Sequence, residues 1–275
     1  MINIDPQHLE AARQGDRAAL TAIIGAVQRP IYGLALRMLA HPADAEDATQ
    51  EILIKVVTHL GSIENDQAAA GWVLKVASRH LVHMRKRSRV EAMRMTFKDF
   101  SEDLQQGLSP AAEEQPEDQI TALAIEEIKI GCTLAMLTCL SRSLRMAYIL
   151  GDVFELTDVE AAEALDISAA AYRQRLSRAR KEVLAFLQVT CGMVSPKPAC
   201  RCEKRLCAAE ASHRVTLGAP AFGLRAPASD MAGLRRQIRS LEEGRRAAAL
   251  MRSNPSFSTN IGALVLGVLE EPSRQ

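Results

Sequence analysis

Three groups of side chains in this sequence could do chemistry. The first is anionic: Asp44, Asp47 and Glu51 recur at helical spacing, with Ala45, Ala48, Ile52, Val56 and Leu60 between and beyond them. Residues three and four apart share a helix face, so this pattern predicts a solvated carboxylate stripe backed by a buried apolar one. The second group is cationic and lies in two blocks. Lys75, Arg79, Arg85, Lys86, Arg87, Arg89 and Arg94 form one; Arg173, Arg175, Arg178, Arg180 and Lys181 form the other. Clustered cations of this kind suit a phosphate backbone met at two places. The third group is sulfur: Cys191, Cys200, Cys202 and Cys207, with His213 following, in the spacing C-x8-C-x-C-x4-C-x5-H. Four thiols and an imidazole could hold zinc or copper, although this is no paired CxxC pattern. A redox thiol cluster and inert cysteines stay open as alternatives. Cys132 and Cys139 fall seven apart on one helix face and read as small core residues.

The elements that must position these groups are helical. Aromatic content is 4%, hydrophobic content 48%, and long stretches run with few Gly or Pro, so an all-α fold follows. With 275 residues there is room for two or three small cores. Four parts emerge: a helical domain over 8–90, an acidic and flexible linker over 91–120, a second small helical domain over 121–188, and a partly helical C-terminal extension over 189–275. In the first, 18–38 reads as a helix with a kink near Gly25, Pro30 and Gly33. Pro42 then opens the acidic helix, which runs to about Leu60. Helix 72–87 turns Trp72, Val73, Val76, Ala77 and Leu81 inward.

In the second domain, helices are expected at 121–139, 142–153, 158–165 and 169–187. Thr157 and Glu160 make a capping box, Asp166-Ile167 a tight connection, and Ser168 an N-cap for a long basic helix. Short helix, brief turn and long basic helix is the grammar of a helix-turn-helix. Ala169, Ala170, Arg173 and Gln174 would then face the groove, with Arg175, Arg178, Arg180 and Lys181 as backbone anchors. In the extension, Met231, Leu234, Ile238, Leu241 and Ala248 mark one face of a single helix over 230–252, and Ile261 to Leu269 can form another.

Net charge is only +1, but the charges are segregated: Asp99, Glu102, Asp103, Glu113, Glu114, Glu117 and Asp118 separate the two basic blocks. No secretion signal is visible, and Ile261 to Leu269 is far short of the roughly 20 residues a membrane helix requires. A cytoplasmic chain with no membrane partner is expected. No nucleophile elbow, phosphate-binding loop or facing Glu-x-x-His ligand set appears, which argues against an enzyme.

The order of these motifs resembles the extracytoplasmic-function (ECF, group IV) sigma factors of the sigma-70 family. Asp44-Ala-Glu-Asp-Ala-Thr-Gln-Glu51 resembles sigma region 2.2, Trp72-Val-Leu-Lys-Val-Ala-Ser-Arg79 resembles regions 2.3 and 2.4, and 156–181 resembles region 4.2. The resemblance covers 10–188. It implies that Asp44, Asp47, Gln50 and Glu51 bind bacterial core RNA polymerase. Trp72, Lys75, Arg79, His80, His83 and Arg85 would open and read the promoter minus-ten element. Residues 169–181 would read the minus-thirty-five element. It further implies promoter DNA as ligand, no required cofactor, and an anti-sigma or other regulator as a further partner. The chain departs from the family at His80 and His83, where Asn and Asp are usual, at Ala69 in place of an aromatic, at Asp166 in place of a turn Gly, and at Tyr172 in place of Val. A stand-alone helix-turn-helix regulator is the alternative, but it leaves the acidic helix and the Trp72 helix without a task. Cys-Gly-hydrophobic and Cys-Arg-Cys tails occur in some ECF sigma factors with extensions, which suggests a regulatory tail.

Overall fold

The structure, a computed structural model, describes residues 2–84, 95–109, 118–224 and 229–270, and of 268–270 the backbone alone. Among the described residues there are thirteen α-helices and no strand. In chain order these are α1 (Pro6–Arg13), α2 (Arg17–Leu39), α3 (Pro42–Thr58), α4 (Ala69–His83), α5 (Phe97–Gln105), α6 (Gln119–Cys139), α7 (Arg142–Tyr148), α8 (Asp158–Leu165), α9 (Ala169–Thr190), α10 (Leu206–Ala211), α11 (Met231–Ser240), α12 (Glu243–Arg252) and α13 (Gly262–Glu270). Two compact units form. One takes Met1–Ala92, Ile149–Arg175 and Ser256–Gln275; the other takes Met93–Tyr148 and Leu176–Pro255.

The first unit is built on α2. Asp16 caps its start by accepting from Ala19 N at 2.9 Å, and Ala40 ends it in the left-handed region with φ 54°. The helix does not break at Pro30: α2 continues through it. Proline removes one backbone bond, and here every residue from 31 to 39 is buried, so packing supports the turns that follow. By length and composition α2 could cross a membrane. Its neighbours α1, α3, α4 and α13 cover it as they would a core helix. On α3 the apolar stripe is as the spacing predicts: Ala45, Ala48, Ile52 and Val56 are wholly buried.

The second unit departs further from expectation. Residues 97–105 in the expected linker form a capped helix, with Thr96 and Asp99 exchanging side-chain and backbone bonds. Phe97 and Phe100 pack on Phe186, with ring centroids 5.1 and 5.4 Å apart. Asp103 of the acidic run is gripped by Arg214 at 2.6 and 2.7 Å. That bond, with the charges of Arg214 and Arg205, holds its carboxyl below the usual range against the effect of burial.

The extension shares a core with α6. This helix buries Glu126, Glu127, Lys129 and Thr133, polar groups that need partners where water is excluded. Residues of the extension supply them. Ser229 donates to Glu126 from N at 3.0 Å and from Oγ at 2.8 Å, and Phe222 N donates to Glu127 at 3.0 Å. Lys129 Nζ donates to Ser253 O, and Asn254 Nδ2 to Thr133 Oγ1, both at 2.8 Å. Arg235 and Glu203 form a buried pair at 2.5 Å. The single helix expected over 230–252 is two, α11 and α12, because Leu241 is extended with φ −75° and ψ 158°. Arg246 Nε donates to the Leu241 carbonyl at 2.9 Å, which steadies the corner.

Candidate nucleic-acid interface

Helix α3 presents Asp47 and Glu51 to solvent, as the spacing predicts. Asp44 differs. It is half-buried in the first turn, with Oδ2 3.5 Å from His41 Nδ1, the N-cap side chain. Charge reversal there would disturb the helix start, whereas Asp47 and Glu51 are free of that role. Gln50 is half-buried on the flank of the stripe.

Helix α4 carries Trp72, Lys75, Arg79, His80 and His83; Arg85 lies outside the described residues. Val73, Ala77 and Leu81 are wholly buried, while Trp72 and Val76 are half-buried. Arg79 and His83 are exposed. His80 points the other way, its side chain only 7% exposed against α3, with Lys55 Nζ 2.7 Å from Nδ1 and Glu51 Oε2 3.6 Å from Nε2. Burial and the Lys55 cation push its pKa down, and Glu51 offsets them only in part. The neutral ring therefore accepts from Lys55 through Nδ1, and its contact with Glu51 is no ion pair. This position bridges α3 to α4 and does not offer its ring to a base.

The helix-turn-helix has the expected local chemistry. Thr157 and Glu160 form the capping box on α8, and Ser168 Oγ accepts from Ala171 N at 3.2 Å to cap α9. Between them Asp166 adopts φ 57° and ψ 46°, a conformation that Asp tolerates better than most residues. Tyr172 and Ala179 are wholly buried and Leu176 nearly so, which leaves Arg173, Gln174, Arg178, Arg180 and Lys181 outward. Ala170 is exposed; Ala169, Ala171 and Arg175 are half-buried. Within the motif Arg173 Nη1 binds Asp158 at 2.8 Å and Arg178 Nε binds Glu182 at 2.9 Å. The sequence did not show that Asp166 also binds α4, where Lys75 Nζ and Arg79 Nη2 reach its carboxylate at 2.8 and 2.7 Å.

The expected metal set is not assembled. Among the described residues no group of three or more His, Cys, Asp or Glu side chains is placed to hold a metal ion. Cys191, Cys200 and Cys202 are partly buried, whereas Cys207 is exposed on α10 and His213 sits exposed in a turn with φ 54°. Cys132, read as a small core residue, is raised chiefly by burial, and Cys191, Cys202 and Cys200 lie close enough to disfavour its thiolate further. Burial likewise pushes Cys202 far up and Cys200 up to about 11. These thiols are protonated at neutral pH and poor nucleophiles.

Comparison with known proteins agrees with this geometry. Residues 23–90 match sigma-70 region 2, and residues 130–183 match sigma-70 region 4. The first match holds α3 and α4, the second the α8–α9 helix-turn-helix, in the order of a promoter-recognition subunit. The chain belongs to the sigma-70 family. Its relatives place it in the ECF group of RNA polymerase sigma factors. It is 27% identical to the RNA polymerase sigma-H factor of Pseudomonas aeruginosa, across 67% of this chain and 94% of that one. It is 29% identical to the ECF RNA polymerase sigma factor SigE of Mycolicibacterium smegmatis, across 63% and 64%. With SigW of Bacillus subtilis, another ECF RNA polymerase sigma factor, the identity is 21% across 64% and 92%.

Proposed function

We propose that this ECF sigma factor divides its work among three helices. The exposed carboxylates of α3, Asp47 and Glu51 with Asp44 and Gln50 beside them, dock core RNA polymerase. Helix α4 stabilises the opened minus-ten strand through Trp72, Lys75, Arg79 and His83, with Arg85 beyond it. Helix α9 reads the minus-thirty-five duplex through Ala169, Ala170, Arg173 and Gln174, with Arg175, Arg178, Arg180 and Lys181 on the backbone. His80 supports α4 from behind. Residues 8–90 and 121–188 are the two DNA-handling domains. Gripping one promoter with both raises effective concentration, so neither needs high affinity alone.

The observation that carries this reading is the pairing of an exposed carboxylate stripe on α3 with a capped helix-turn-helix whose outer face is cationic. A self-sufficient repressor has no use for the first. The reading assigns no catalytic reaction to the chain, a cytoplasmic location, and an anti-sigma factor or other regulator as a further partner. It calls for no cofactor. Metal content of the purified chain tests whether zinc or copper resides at Cys191, Cys200, Cys202, Cys207 and His213. Run-off transcription from genomic fragments by core polymerase plus this chain, with start sites sequenced, tests the whole. Specific starts that depend on the chain are expected. Duplex binding without any initiation would assign it to the stand-alone regulators.

A further inference from the structure

The end of the extension lies on the edge of the proposed polymerase-docking helix. Helix α13 packs against both α2 and α3. Thr259 Oγ1 donates to Glu46 Oε1 at 3.1 Å, and Gly262 N donates to Gln28 Oε1 at 3.1 Å. Val265 is wholly buried. A Cβ at position 262 would stand 2.8 Å from Gln28 Oε1 and 3.0 Å from Ile24 Cγ2, so the approach to α2 is one that glycine permits. Upstream, Phe257 is 4% exposed and covers the Arg37 guanidinium at 4.9 Å, with Phe154 also near it at 5.8 Å. The buried cation is depressed to about 10 by the loss of water. Aromatic faces attract a desolvated guanidinium, so Phe257 gives the segment a defined seat.

The position of this seat matters because Glu46 and Gln50 are one turn apart on the same edge of α3, beside Asp47. A partner that lays a helix along the Asp47 and Glu51 stripe and reaches Gln50 must share that edge with Thr259 and α13. The segment is also built to leave. The bonds of Thr259 and Gly262 and a few buried side chains hold it, while Leu264 is 57% exposed and Ala263 and Gly267 face solvent.

We propose that residues 256–270 form an autoinhibitory strap that competes with core polymerase for the α2–α3 edge. The inference rests on the α3 docking reading and adds a built-in competitor to it. Closure lowers the apparent affinity by the fraction of open chains, so a strap shut about nine-tenths of the time weakens polymerase binding roughly tenfold.

The test uses the full chain with Phe257→Ala and Gly262→Val together, and a second chain ending at Pro255, where the second compact unit ends. Hydrogen exchange at the Val265 amide reports docking in the full-length proteins, and thermal melting reports folding. Polymerase affinity is measured for the parent, both variants, and Asp47→Lys with Glu51→Lys. The expected result is faster exchange in the double variant, with both strap variants binding polymerase several-fold to tenfold more tightly than the parent. Equal affinity of parent and truncated chain overturns the strap. If the charge reversals still weaken binding, the docking reading survives that failure; if they too change nothing, both fall. Val265 exchange as fast in the parent as in an unfolded peptide also overturns it.

Discussion

Asp166, in the turn between α8 and α9, binds Lys75 of α4 at 2.8 Å, and its second carboxylate oxygen takes Arg79 at 2.7 Å. One anion thus occupies two of the cations assigned to the minus-ten strand. The two cations hold its carboxyl below the usual range. Replacing it by Gly suits the left-handed backbone and releases both side chains. Asp166→Gly should therefore fold normally and raise affinity for a forked minus-ten DNA a few-fold at low salt. The gain should shrink at high salt, because exposed pairs and phosphate contacts are both screened. Fluorescence anisotropy at two salt concentrations reads this; an unchanged affinity at low salt would mean the pair does not mask Lys75 and Arg79.

Asp47 and Glu51 should tolerate reversal to Lys with little loss of stability, since both side chains are solvated. Core-polymerase affinity should fall by about tenfold or more, chiefly at low ionic strength, as for other charged docking faces. Asp44→Lys should lower the melting temperature as well, through the His41 cap. Calorimetry beside a polymerase-binding assay separates the two effects.

His80 predicts a pH dependence. Its folded pKa is depressed by burial and by Lys55, so the folded state binds its proton less readily than the unfolded chain. Its contribution is complete above the unfolded value of about 6.5 and is lost as pH falls through the folded value. Urea unfolding at pH 7.5 and 5.5 should show the parent weakening more than His80→Gln. Parallel behaviour of the two proteins would remove His80 as the cause.

Glu203 and Arg235 are paired at 2.5 Å with side chains 3% and 8% exposed. Glu203→Ala takes the carboxylate away from a buried guanidinium and should cost about 3 kcal/mol. Glu203→Leu with Arg235→Met removes both charges and should recover much of that loss. Urea denaturation of the two variants decides between a pair needed for stability and one that merely satisfies itself.

Much of this protein was legible in its residues. The stripe of Ala45, Ala48, Ile52 and Val56, the Thr157 and Glu160 box, the Ser168 cap and the left-handed Asp166 all follow from local spacing and capping, and local rules act within a few residues. The capped helix at 97–105 has a local signal too, in Thr96 and Asp99, overshadowed by the acidic composition around it. The expected metal set illustrates the opposite: nearness along the chain assembled no metal-holding group among the described residues and left Cys207 and His213 exposed, while Cys132 comes from a distant helix to neighbour three of the thiols.

The sequence by itself determined the principal helices of a sigma factor's two recognition regions, which of their faces are charged, and the order of those regions, because periodicity and caps are encoded by neighbours. Only the tertiary structure decided what those faces meet. It turned His80 onto α3, gave Asp166 to Lys75 and Arg79, seated Phe257 over Arg37, and filled the polar side of α6 with partners from the extension. Each of these joins residues far apart in the chain, where the partner is chosen by packing and desolvation and leaves no periodic trace.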